Sequence, residues 1–162
     1  MITEPFRDIK DITFILEPGR FVTAEAGILV TKVQYVKENP YGKKFIITDT
    51  GMHHLIRPPL YGGYHSIIPV KKNTDDVIKA DIVGPICESA DFLGKDRFIV
   101  KVCQDDLLAV TDTGAYGIVL SSHYNSHPLP AEVLVDGSGY KIIRRRETYE
   151  DIWNCEAEVI SM

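Results

Sequence analysis

Apolar and polar residues exchange places along this chain at short intervals, and the runs between breaks are too brief for long helices. Gly27–Lys37 (GILVTKVQYVK) and Lys44–Thr48 (KFIIT) mix β-branched and aromatic residues with polar ones, which predicts strands. Similar runs predict strands at Thr13–Leu16, Ser66–Val70, Ala80–Cys87, Arg97–Val102 and Leu107–Thr111. Pro18-Gly19, Asp49 and other Gly, Pro and Asp residues punctuate them. Later, Glu132–Val135 and Tyr140–Ile143 flank Asp136-Gly137-Ser138-Gly139, a glycine-bearing loop of hairpin length. Thr148-Tyr149-Glu150-Asp151 then has the form of a capping box, and predicts a short helix with Ile152 and Trp153 on its buried side. Short helical pieces are expected at His53–Arg57 and Thr113–Gly117. Strands dominate and no βαβ rhythm appears. The pattern predicts a mainly β fold, a barrel or sandwich with a few short helices.

Composition narrows the class. A chain of 162 residues, 44% hydrophobic and 25% charged, suits one soluble domain or one domain with part of another. No apolar run approaches the length of a membrane span, and MITEPFRDIK lacks the apolar core of a secretory signal. The net charge of -5 and scattered Lys and Arg carry no nucleic-acid footprint. The cluster Arg144-Arg145-Arg146 reads as a solvated strand end. Three cysteines, Cys87, Cys103 and Cys155, without C-x-x-C spacing, offer neither a disulfide framework nor a zinc site, so a reduced, cytoplasmic protein is expected. Histidines 53, 54, 65, 123 and 127 are not spaced as metal ligands, so no metal is expected and these residues read as bystanders.

Four clusters could carry chemistry. Glu17-Pro18-Gly19-Arg20 follows an apolar strand and would place backbone N–H groups and a guanidinium at its end, an arrangement suited to phosphate or carboxylate. An ordinary turn is the commoner meaning of that tetrapeptide. In Arg57-Pro58-Pro59-Leu60-Tyr61 two prolines stiffen the backbone between a carboxylate-binding arginine and a tyrosine hydroxyl; on these residues alone a proline-rich surface turn is the stronger reading. Gly84–Asp91 (GPICESAD) sets a thiol beside a carboxylate, a pair able to handle a proton or bind an ammonium group. A cysteine at a strand end is more often a small core residue. Gly114-Ala115-Tyr116-Gly117, followed by Ser121–Asn125 (SSHYN), permits close backbone approach by a ligand or merely tight packing.

Taken in order, the clusters are less ambiguous. EPGRFVTAEAG (Glu17–Gly27), LIRPPLY (Leu55–Tyr61), VGPICESADFLGKDR (Val83–Arg97), LLAVTDTGAYG (Leu107–Gly117), SSHYNSHP (Ser121–Pro128) and RRRETYEDIW (Arg144–Trp153) together resemble the diaminopimelate decarboxylase family, from about Asp11 to Glu156. That family belongs to the alanine racemase-like class of enzymes using pyridoxal 5'-phosphate. The resemblance implies a C-terminal, Greek-key-like β-barrel over residues 21–162, preceded at 1–20 by the last helix and strand of a (β/α)8 barrel. It implies decarboxylation of meso-diaminopimelate to L-lysine by a homodimer with sites at the subunit interface.

The same resemblance implies roles for individual residues. Glu17 would pair with the pyridine nitrogen of the cofactor, Gly19 would offer its amide to the phosphate, and Arg20 would face both phosphate and substrate. Arg57 and Tyr61 would grip the distal carboxylate of the substrate, Glu88 its distal ammonium, and Cys87 would handle a proton. Cys87 and Glu88 would serve the partner subunit's site, while Tyr116 would contact cofactor and substrate in its own. Diaminopimelate carries an amino-acid group at each end, so its far end needs both a cation and an anion; relatives acting on ornithine need no such cation and typically carry Cys-Asp. Two departures stand out: Ala90 occupies a position usually held by glycine, and His54 replaces a more typical acidic residue. Family members are more than twice as long as this chain, and the Schiff-base lysine lies in the barrel portion. These 162 residues are therefore expected neither to hold the cofactor covalently nor to decarboxylate alone. A regulatory module on the same scaffold, or a decarboxylase of another basic amino acid, remains the alternative.

Overall fold

The computed structural model of the protein describes residues 4–160. The ends of both expected segments, residues 1–3 and 161–162, lie outside them. Six strands form one sheet: β1 (Leu29–Glu38), β2 (Lys44–Thr48), β3 (Ile67–Pro69), β4 (Val77–Val83), β5 (Phe92–Val100) and β6 (Leu107–Val110). Their order is β3-β6-β1-β2-β4-β5, and the edge strands β3 and β5 approach each other, so the sheet is a nearly closed barrel. The mainly β expectation holds.

Alternation sets the faces. In β2, Ile46 and Thr48 are buried, and in β1 Thr31 and Val33 are, because successive side chains of a strand point to opposite sides. Val33 is the corner of the barrel: β1 pairs with β6 from Leu29 to Lys32, then with β2 from Val33 to Glu38, with an irregularity between Val33 and Tyr35. Val33, Ile46, Leu55, Ile82, Leu93, Ile99, Leu108 and Val110 fill the interior.

A separate hairpin joins β7 (Glu132–Asp136) and β8 (Gly139–Arg144). Asp136 and Gly139 pair, which leaves Gly137-Ser138 as a two-residue turn with Gly137 at φ +56°, a conformation glycine adopts without steric penalty. Arg144 closes the hairpin through a 2.6 Å ion pair with Glu132. Helix α2 (Tyr149–Ile160) opens as the sequence predicts: Thr148 N–H donates to Asp151 Oδ2 at 2.7 Å, and Asp151 N–H donates back to Thr148 Oγ1 at 3.4 Å.

Several expectations need correction. Thr13–Leu16 forms no strand, because no described segment lies alongside it to satisfy its N–H and C=O groups. Trp153 is not on a buried face: it is 45% exposed and stacks on Tyr149 at 6.0 Å, because α2 does not pack on the barrel core. The helical piece expected at His53–Arg57 begins at its end, as α1 (Arg57–Tyr61), and Thr113–Gly117 is a turn ahead of a 3-10 segment at Ile118–Leu120. Prolines cause the first shift, since Pro58 and Pro59 are tolerated only in a first helical turn.

Candidate functional site

Strand direction decides where the candidate residues meet. β1 and β2 are antiparallel, β2 and β4 parallel, β4 and β5 antiparallel, and β6 runs antiparallel to both β1 and β3. The starts of β1, β3 and β5 and the ends of β2, β4 and β6 therefore share one rim of the barrel. Arg20 precedes β1, Arg57 and Tyr61 lie between β2 and β3, Cys87 and Glu88 between β4 and β5, and Tyr116 follows β6. All the candidate clusters converge on this rim. A shallow cavity near the opposite rim, lined by Val36, Glu38, Lys44, Asp76, Ile78 and Lys101, contains none of them.

At the end of β6, two successive carbonyls anchor two basic side chains. Arg20 Nη2–H donates to Asp112 O at 2.7 Å, and His65 Nδ1 lies 2.8 Å from Thr111 O. A carbonyl only accepts, so His65 carries its proton on Nδ1 and leaves Nε2 as a bare acceptor. Burial pushes the His65 pKa below its ordinary value, and the positive charges of Arg20 and Arg57 push the same way. Arg20 Nε and Arg57 Nε are themselves buried without an acceptor. Two orphaned guanidinium donors near one neutral imidazole make a place for an anion.

Arg57 is held by its own short helix. Its guanidinium lies over the Tyr61 ring at 5.6 Å, and its carbonyl receives Gly63 N–H at 3.2 Å. Gly62 ends the helix at φ +63°. Tyr116 sits at φ +58° in a turn tied to the segment after Arg20: Thr113 N–H donates to Gly27 O, and Gly114 N–H to Ala24 O, both at 3.0 Å. A Cβ on Gly114 would stand 2.0 Å from Thr23 O, so glycine there is required by tight packing against the chain's own backbone, the second of its two readings. Glu17 and Gly19 are exposed, with Gly19 at φ +54° and nothing within 4 Å of where a Cβ would stand.

The Cys87–Glu88 loop is built around Asp91, which is 5% exposed. Its Oδ1 accepts Met52 N–H and its Oδ2 accepts Ile86 N–H, each at 2.8 Å. One carboxylate thus fastens the segment leading to Arg57 to the residue before Cys87. Burial raises the Asp91 pKa against the two amides, which favour the ionised form. The carboxylate occupies space that two glycines vacate: a Cβ on Gly51 or Gly84 would stand 2.0 or 2.4 Å from it. Cys87 is exposed. Glu88 accepts Ala90 N–H and the Tyr124 hydroxyl, each at 3.1 Å, and these donors draw its pKa below the usual carboxylate range. Among the described residues no hydrogen bond or ion pair joins Glu88 to Arg20 or Arg57.

Sequence reasoning gave no role to Asp91, Tyr124 or His65. Asp91 and Tyr124 lay within quoted clusters, and the only available signal for Asp91 was a loop acid matched by two distant glycines. The histidines are also more than bystanders. His53 is 1% exposed, with both ring nitrogens unpartnered and its ring 3.9 Å from His54 and 4.6 Å from His127. His54 bridges Thr50 Oγ1 and Pro128 O, and no metal cluster occurs among the described residues. No described helix is long and apolar enough to cross a membrane.

A β-barrel with cationic and anionic loops gathered on one rim matches a known class. Residues 20–114 match the family model described as the C-terminal sheet domain of pyridoxal-dependent decarboxylases, and the chain belongs to that family. Its relatives narrow the comparison. It is 53% identical over 138 residues to diaminopimelate decarboxylase of Aquifex aeolicus, covering 85% of this chain and 33% of that protein. With the Haemophilus influenzae diaminopimelate decarboxylase it shares 45% identity over 159 residues, 98% of this chain and 38% of the other. Its fold superposes on diaminopimelate decarboxylase from Helicobacter pylori, solved in complex with L-lysine, with a TM-score of 0.84 at 39% identity, over 93% of this chain and 36% of that one. The chain thus spans about a third of the length of the curated relatives it matches.

Proposed function

We propose that this chain is the C-terminal part of a diaminopimelate decarboxylase, and that it supplies substrate- and cofactor-contacting residues to a site completed by a (β/α)8 barrel. The observation that carries the reading is the shared rim: Arg20, Arg57, Tyr61, Cys87, Glu88 and Tyr116 leave the sheet at one end. Residues 1–20 would close the barrel domain and 21–162 form the sheet domain; the unpaired Thr13–Leu16 segment accords with strand partners elsewhere.

The residues present fit an anionic cofactor, since Arg20 Nε and Arg57 Nε are buried donors without acceptors and Gly19 leaves open space for approach. Pyridoxal phosphate, when bound, supplies an electron-accepting ring for breaking a carbon–carboxylate bond. Glu17 would hold a proton on the ring nitrogen, the Gly19 amide would face the phosphate, and Arg20 would neutralise negative charge between phosphate and substrate. Arg57 and Tyr61 would clasp the distal carboxylate, and Glu88 the distal ammonium. Cys87 Sγ would handle the proton that replaces the lost carboxylate, and Tyr116 would border the cofactor. A substrate without both distal charges would leave one of these groups without its charge partner.

A homodimer would bring Cys87 and Glu88 to the partner's site. In support, Val133, Leu134, Val135, Tyr140, Ile142 and Ile143 are exposed on a two-stranded hairpin, an element that is seldom stable uncovered. The three free thiols accord with a cytoplasmic setting. The test supplies the barrel portion, in trans or as one polypeptide, and measures CO2 release from diaminopimelate, ornithine and arginine. Turnover of diaminopimelate alone is expected. Release from ornithine or arginine instead, or from none of the three, would overturn the reading.

A further inference from the structure

We propose that Tyr124 is a positioning residue for Glu88, its hydroxyl fixing the carboxylate that receives the far ammonium group of the substrate. The inference rests on the diaminopimelate reading and deepens it with a determinant from a segment to which that reading gives no role.

Glu88 is engaged from two sides. The Ala90 amide reaches Oε1 from within the same loop, and Tyr124 reaches Oε2 from 36 residues further along the chain. The local bond moves with the loop; the distant one fixes the carboxylate relative to the rest of the rim. The hydrogen bond to Glu88 also raises the Tyr124 pKa, so the phenol keeps its proton and acts as donor. One lone pair on each oxygen is taken in this way, and the remaining ones stay available to an ammonium group. A glutamate ordered before the ligand arrives loses less side-chain freedom on binding.

The backbone around Tyr124 is held for this purpose. Asn125 and Ser126 both adopt left-handed conformations, at φ +55° and +59°; asparagine tolerates this readily, whereas serine relies more on its surroundings. Here the surroundings are specific. Ser122 N–H donates to His53 O at 2.8 Å, His54 Nε2 lies 3.1 Å from Pro128 O, and Glu147 Oε2 takes both Leu129 N–H at 2.8 Å and His123 Nε2 at 2.7 Å. The turn carrying Tyr124 is thus clamped on both flanks, partly to the segment that leads into Arg57. In the proposed homodimer that support would link the Arg57 of one subunit's site to the Glu88 that serves the partner's site.

The test uses the complete polypeptide, barrel included, with Tyr124→Phe and Glu88→Gln assayed in parallel. Removing one hydrogen bond to a charged group is expected to raise KM for diaminopimelate about tenfold while kcat stays within about twofold. The acid limb of kcat/KM should move to higher pH, because Glu88 loses a donor that favours its ionised form. Thermal stability should hold, since the phenyl ring remains and Tyr124 is 43% exposed. An unchanged KM and acid limb in Tyr124→Phe, with Glu88→Gln still impaired, would overturn the role of Tyr124 alone. Full diaminopimelate turnover by Glu88→Gln would overturn the substrate reading beneath it. A lower melting temperature with no change specific to KM would mark Tyr124 as structural only, and would also overturn the proposal.

Discussion

Replacing Asp91 by alanine tests whether one buried carboxylate holds two loops of the rim together. The substitution removes acceptors for Met52 N–H and Ile86 N–H, both 2.8 Å away, at a residue only 5% exposed. Each buried amide left unpaired costs about 1–3 kcal/mol. Relief of the buried charge, which already raises the Asp91 pKa, offsets part of that loss. A net destabilisation of about 3 kcal/mol follows, equivalent to a melting temperature lower by roughly 6–12 °C for a chain of this size. Urea unfolding should show a lower midpoint at unchanged slope. Hydrogen exchange gives the local readout: the amides of Met52 and Ile86 should lose protection while those of β1 and β6 keep it relative to global stability. Asp91→Asn should fall between the two, since its amide nitrogen faces one N–H with another donor. If Asp91→Ala unfolds within about 1 kcal/mol of the parent and both amides stay protected, the tie does not exist.

Two further outcomes are expected. Gly84→Ala places a Cβ 2.4 Å from the Asp91 carboxylate and 2.6 Å from Gly51 Cα, so the loop must shift; a loss of about 2 kcal/mol or more in urea unfolding is expected, and a neutral result would contradict the packing. Burial, with smaller contributions from His54 and His127, lowers the His53 pKa from 6.5 to about 3, so the unfolded chain binds a proton that the folded one refuses. Stability from this residue is full above pH 6.5 and is lost as pH falls, by roughly 1 kcal/mol per unit. Unfolding measured between pH 7.5 and 5 should show this slope reduced in His53→Leu; equal slopes would contradict it.

What the sequence revealed was what neighbours along the chain decide. β1 and β2 followed from β-branched runs, the β7–β8 turn from a glycine able to adopt φ +56°, and the start of α2 from Thr148 and Asp151, three residues apart. Interactions that cross the fold were not visible. Asp91 reaches Met52 across 39 positions and Tyr124 reaches Glu88 across 36, with no periodicity to announce either pair. The expected strand over Ala80–Cys87 begins at Val77 and ends at Val83, because the chain beyond Gly84 turns to wrap the Asp91 carboxylate. Candidate residues could be named from their resemblance to a family. Their meeting at one rim depends on the parallel pairing of β2 with β4, which local pattern does not encode.

That pairing divides the molecule's tolerance for change. With β2 and β4 pointing the same way, the links at 39–43, 70–76 and 101–106 all fall at the end of the barrel remote from Arg57 and Glu88. Length can be added there, as an affinity tag or a fluorophore-bearing peptide, without lengthening any link that carries a candidate side chain. The connections at the other end carry Arg57, Cys87 and Glu88, so length added to them would displace a candidate side chain. The barrel thus offers an engineer one end to extend and one end to leave alone.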